Sequence, residues 1–222
     1  MGILLGRTAL LLMALSASSA SADDNKWETK ETSPVLIKVR DRPNSRVKEI
    51  WAEGDLNASV LDIQGTLTDV KGFTHYMPYL TEAKLLGMDP DGAMYIYSRL
   101  DMPVLSARDF IHKTYVDKDC TVDKDGTFAN HWSAVPNKVA EKDGVVRLKL
   151  SEGSWLVTPK SANSSHVVYK FSVDPGGSIP AFAANMSGTG GIVDTFKAVE
   201  RESLRRAADR KAHEGDAGTG GH

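Results

Sequence analysis

One pattern constrains the fold of this chain more than any other. Between residues 93 and 173 it runs through strand-length segments, one after another, before a single change to helical spacing. The segments are 93–100, 109–116, 127–134, 145–150, 154–158 and 167–173. In the last, Val167, Tyr169, Phe171 and Val173 share a face, as the two-residue period of a strand requires. Turn signals separate the segments: Asp89-Pro90-Asp91-Gly92, Asp125-Gly126, Asp143-Gly144 and Ser161-Ala162-Asn163-Ser164. The prediction is an antiparallel meander of six or more strands.

Helical signals flank this block. Residues 35–39 and 47–52 read as two strands around the turn Asp41-Arg42-Pro43-Asn44. Residues 58–67 place Val60, Ile63 and Leu67 at helical spacing. A short aromatic segment, 73–80, breaks at Pro78, and 82–86 reads as strand. After Val173 comes Asp174-Pro175-Gly176-Gly177-Ser178-Ile179-Pro180-Ala181-Phe182-Ala183-Ala184-Asn185. Ser178 can cap a helix there, and Pro180 falls in a first turn, where its missing N–H costs nothing. Ile179, Phe182, Ala183, Met186, Val193 and Phe196 then form one apolar stripe. Gly188, Gly190 and Gly191 interrupt it, each costing about 1 kcal/mol against Ala in a helix interior. Either the helix is held by what its stripe packs on, or two shorter helices meet at a loop. The fold class expected is α+β.

The N-terminus reads as a secretory signal. Arg7 supplies the positive charge, and the apolar run that follows is too short to span a bilayer. Ala20-Ser21-Ala22 is a cleavage site, which would leave about 200 exported residues, periplasmic or secreted. No Cys follows that site to carry a lipoprotein anchor. The expected organisation is a signal peptide at 1–22, a flexible lead-in at 23–34, one domain at 35–206 and a disordered tail at 207–222. A chain of this size buries about 70% of its unfolded surface, enough for a core and a cavity. With 27 basic and 29 acidic residues the charge is balanced, so nothing points to nucleic acid. Cys120 is alone, which excludes an internal disulfide.

Several chemistries find no support. The histidines are scattered without metal-ligand spacing, no G-x-S-x-G elbow is present, and Gly188-Thr189-Gly190-Gly191 lacks the Lys of a phosphate-binding loop. Neither cofactor nor metal is expected.

Three segments carry a family resemblance. The helix ending in Leu67-Thr68-Asp69-Val70, with Tyr76-Met77-Pro78-Tyr79 and Thr81-Glu82-Ala83-Lys84-Leu85-Leu86 after it, is similar to the first long helix and following strand of START lipid-transfer domains. Met102-Pro103-Val104-Leu105-Ser106-Ala107-Arg108-Asp109-Phe110 resembles the proline-bearing loop and Arg-Asp-Phe strand start of that family. The stretch from Asp174 to Asn185 resembles its junction into the C-terminal helix. The resemblance covers about residues 35–205. It implies a helix-grip fold, in which a curved antiparallel sheet wraps around a long C-terminal helix with an internal hydrophobic tunnel between them.

The resemblance further implies that Glu82 and Arg108 pair inside the tunnel. Each charge alone would cost several kcal/mol to bury, whereas the pair can also bond a polar head. The other reading of these two residues is a pair of surface charges beside turns. The tunnel lining expected is Met94, Ile96, Leu105, Phe110, Trp155, Tyr169, Phe171, Phe182, Met186, Val193 and Phe196. The function implied is non-enzymatic: a monomer binds one sterol-like lipid or phospholipid, touches membrane surfaces transiently and exchanges its ligand there. The loop at 100–108 and the helix from Ile179 would part to admit it. The rival readings are an aromatase/cyclase-like enzyme using the same cavity and a lipid sensor that transfers nothing.

Overall fold

A computed structural model describes residues 26–42, 45, 47–176 and 189–217, with side chains to 213. The signal segment, Phe182, Met186 and most of the 174–185 junction lie outside the described residues. The strands are β1 (Glu28–Glu31), β2 (Leu36–Asp41), β3 (Lys48–Leu56), β4 (Leu80–Met88), β5 (Met94–Leu100), β6 (Arg108–Lys118), β7 (Phe128–Ala134), β8 (Val146–Arg147), β9 (Ser151–Ser161) and β10 (Ser164–Val173). The helices are α1 (Val60–Thr68), α2 (Phe73–Tyr76) and α3 (Thr189–Ala217).

The strands form one curved antiparallel sheet in the order β1-β2-β3-β10-β9-β7-β6-β5-β4, with β8 running parallel to β6. The meander expected from β4 onward therefore holds, except that the 145–150 segment steps out of it. Its final strand, β10, turns back onto β3, pairing Tyr169 with Ala52 and Phe171 with Ile50. Turn chemistry sets the hairpins: Gly92 and Gly126 adopt φ of 85° and 63°, left-handed values that favour glycine.

Three sequence expectations are corrected. The lead-in contains β1, which pairs with β2 (Glu28 with Val39), and the aromatic contact of Trp27 with Trp51 fixes it there. Segment 145–150 is not a strand of the meander: only Val146 and Arg147 pair, and they do so in parallel with Arg108 and Asp109. The cause is Arg147, whose buried guanidinium draws this segment inward instead of leaving it extended. The last helix does not end at 206 but continues to Ala217.

Packing explains the length of α3. Ser59 caps α1, accepting from the Asp62 backbone N–H at 3.2 Å while its hydroxyl donates to the Asp62 carboxylate at 2.6 Å. That carboxylate also receives Arg210 of α3 at 3.1 Å. Nearer the centre, the Thr66 and Ser203 hydroxyls meet at 3.0 Å in a buried contact. Ile63, Phe128, Val157, Val167, Phe196 and Val199 complete the core between the helices and the concave face of the sheet.

Candidate functional site

The concave face is read off the strand register. On β5 the inward row is Met94, Ile96, Ser98 and Leu100, and on β6 it is Arg108, Phe110, His112 and Thr114. Trp132 stands opposite Thr114 and Gly153 opposite Trp132. Gly153 is required there, because an added Cβ would come within 2.4 Å of the Trp132 ring and of the Lys170 carbonyl. The indole thus lies flat over β9 and reaches towards β10.

This arrangement leaves a cavity of about 370 Å³ between the sheet and the helices. Its floor is a chain of rings. Phe110 and His112 are 4.5 Å apart, His112 and Trp132 5.8 Å, and Trp132 and Tyr169 6.0 Å. Tyr169 stacks on Trp155 at 3.9 Å and on Phe171 at 4.6 Å. Gly191, Ile192 and Thr195 of α3 form part of the roof, and Phe73, Met77 and Tyr79 close the end beside α2. Among the described residues the lining contains no Asp, Glu, Lys or Arg.

Polar groups are few. His112 is bonded through Nε2 to the Ser151 hydroxyl at 2.8 Å. The bond spans β7 where the intervening residue is Ala134, small enough to let it pass. Burial pushes the His112 pKa down to about 3, so the ring is neutral in ordinary buffers. Burial likewise raises the Tyr169 phenol well above its usual value. Asn130 uses its side-chain carbonyl to accept from the Trp155 backbone N–H at 3.3 Å.

Of the residues expected to line the tunnel, Ile96, Phe110, Trp155, Tyr169 and Phe171 border this cavity. Phe196 instead belongs to the core behind Trp155, 5.9 Å from its ring, and Val193 packs against that core. Met94 shares the inward row but lies beyond the cavity end, and Leu105 sits half-buried on the loop after β5. Sequence reasoning missed the residues that α1, α2, the loops around β4 and β5, and α3 contribute to the lining, and on the sheet it missed Ser98, His112, Thr114, Asn130 and Trp132 among others. The signal for four of them was present: Ser98 follows Ile96 by two residues, His112 and Thr114 follow Phe110 by two and four, and Asn130 shares its face with Trp132.

The expected Glu82–Arg108 pair does not form. A register shift lies between Leu80, which faces Leu100, and Glu82, which faces Arg99. One extra residue turns Glu82 to the outer surface. There it pairs with Lys84 and, at 3.6 Å, with Lys142, and these cations hold its pKa below the usual carboxylate value. Arg108 remains inside, 2% exposed. Its guanidinium donates to the Ser106 carbonyl and lies 3.5 Å from the Pro175 carbonyl. It therefore ties the loop after β5 to the segment after β10, outside the cavity lining. The buried ion pair of this region is one residue along: Arg147 forks onto Asp109 at 2.7 and 3.0 Å, both side chains 1% exposed. Carbonyls of Pro136, Val139 and Ala140 occupy further donors of Arg147.

No family model matches the chain. An uncharacterized protein of Pseudomonas aeruginosa is 29% identical over 207 residues, spanning 92% of this chain and 98% of the relative. A crystal structure of a STAR-related lipid transfer protein fragment from Xanthomonas axonopodis is similar at 27% identity with a TM-score of 0.68, covering 80% of this chain and 98% of that one. Human StAR-related lipid transfer protein 5 is similar in fold, with a TM-score of 0.71 at 15% identity, over 84% of this chain and 90% of that one. A large curved sheet gripping a C-terminal helix is the architecture these structures share, and the chain has the helix-grip fold of the START lipid-transfer family that its sequence resembles.

Proposed function

We propose that the protein binds one lipid in this cavity and carries it between membranes outside the cytoplasm, without altering it chemically. The observation that carries this reading is the cavity itself: about 370 Å³, floored by aromatic rings and lined by no charged side chain among the described residues. Apolar pockets with a few placed polar groups hold small apolar ligands, and removing apolar surface from water gains about 25 cal/mol per Å². Lipid transfer in the names of the similar bacterial and human structures supports the same reading.

Binding rather than turnover is favoured by the acid–base inventory. A general acid or base works best with a pKa near the working pH. His112, held at about 3, is poorly matched to that role. Entry would pass the loop at 101–107, where Val104 is 74% exposed and held at φ 60°, a strained value for a β-branched residue. Export rests on the signal-like N-terminus, and exchange would need neither nucleotide nor metal.

The test is transfer of a fluorescent lipid from donor to acceptor vesicles by the mature protein. Transfer should accelerate in proportion to protein concentration. Stoichiometric binding without acceleration would instead make the protein a sensor.

A further inference from the structure

We propose that two copies of the protein associate edge to edge through β4, antiparallel about a two-fold axis at Ala83, so that Glu82 of each copy faces Lys84 of the other and the two sheets run on as one. Residues 82–88 lie outside the cavity lining, so this contact is independent of what the cavity holds.

The sheet has two edges, and they are finished differently. β1 ends one side with four residues, Glu28-Thr29-Lys30-Glu31, three of them charged. Short length and charge are how natural sheets discourage further pairing. β4 ends the other side with nine residues, of which 84–88 are all exposed. Among these are Leu86 and, at 50% and 59% exposure, Leu85 and Met88. Leu85 and Met88 stand opposite Ile96 and Met94, on the concave row of the sheet, yet remain open to water. Among the described residues no strand occupies the far side of β4. Its outward N–H and C=O groups are therefore a template for another strand.

The strand that fits is one of complementary charge, and β4 itself supplies it. Register shifts at Leu80/Glu82 and Leu85/Gly87 confine regular pairing to residues 82–85. In an antiparallel pair about a two-fold axis, the residue at the axis faces its own copy, and directly opposite side chains share a face. Glu82 and Lys84 both project from the outer face, where they already meet within one copy. An axis at Glu82 would set Glu82 against itself, and one at Lys84 would set Lys84 against itself. Like charges directly opposite are destabilising. An axis at Leu85 would set Lys84 against the uncharged Leu86. Only an axis at Ala83 sets Glu82 against Lys84, and it does so twice. The two Ala83 side chains then meet at the axis, flanked on the concave face by the two Leu85 side chains, whose removal from water favours the contact.

Sedimentation velocity of the mature protein over a range of concentrations tests this. Wild type should dimerise. Glu82→Lys and Lys84→Glu should each weaken the dimer at least about tenfold, because each turns two attractive pairs into two repulsive ones. An equimolar mixture of the two variants should dimerise again, since every opposite pair is then of unlike charge, and that recovery reports that both are folded. A wild type that stays monomeric at every concentration overturns the proposal. So does a dimer that neither substitution weakens, which would place the contact elsewhere, and so does a mixture that stays as monomeric as its components. Wild type that is monomeric but floats with phosphatidylcholine vesicles, and loses this in Leu86→Glu, would make the edge a membrane-contact surface and overturn the proposal likewise.

Discussion

At the scale of single residues, sequence and structure part company over where charge is buried. The alternation around β4 places Glu82 on the inner face, two residues after Leu80, and only the register shift against Arg99 reverses it. A shift of that kind leaves no mark in residue types, so the pairing with Arg108 was not a legible error. His112 was legible by period but not by chemistry, since a histidine two residues after Phe110 does not announce its Ser151 partner. Its burial makes a pH prediction. The folded pKa is about 3 against about 6.5 in the unfolded chain, so the folded state refuses a proton that the unfolded state accepts. This stability is fully present above pH 6.5 and is lost as pH falls towards 3. Between pH 7 and 5 the loss should be about 2 kcal/mol, at 1.36 kcal/mol per unit. Urea unfolding at the two pH values measures it, and His112→Phe should lose about that much less. Equal pH losses in the two proteins would remove the buried, neutral histidine from the account.

At the scale of elements, hairpins were the easiest to read, because glycine-bearing turns and two-residue alternation act locally. Strands whose pairing is decided by distant side chains were the hardest. The 145–150 segment has the apolar content of a strand, yet Arg147 within it finds its counter-charge on Asp109, 38 residues earlier. That contact, with three backbone carbonyls around the same guanidinium, holds residues 136–147 against β6. Removing one partner of a fully buried pair strands the other, at a cost of about 3–5 kcal/mol. Asp109→Asn keeps the shape and loses the charge, so it should fall near the lower end, about 3 kcal/mol in urea unfolding. Combining Asp109→Leu with Arg147→Met should cost less than Asp109→Leu alone, since no charge is then left unpaired. A double variant at least as unstable as the single one would show that packing of the segment, not the ion pair, dominates there.

At the scale of the whole molecule, the sheet and the last helix enclose space that side chains do not fill. The order of elements was readable because each strand is local. The closure of β10 on β3, which joins the two ends of the domain, was not, since it pairs residues more than a hundred positions apart. That closure bends the sheet enough to leave a cavity where a smaller domain would have core. Interiors pack at the density of organic crystals, and groups around a void lose contacts on one side. A lipid in the cavity would therefore supply part of the core and stabilise the folded state by mass action, by about 2.7 kcal/mol at a hundredfold excess over its Kd. Protein stripped of lipid by mild organic extraction should melt several degrees below the same protein reloaded with its extracted lipid, with Tm rising as lipid concentration rises. A Tm unchanged by stripping and reloading would mean that the void is tolerated empty. The sheet curvature would then serve packing of α3 alone, and the cavity would lose its claim to be the working part of the molecule.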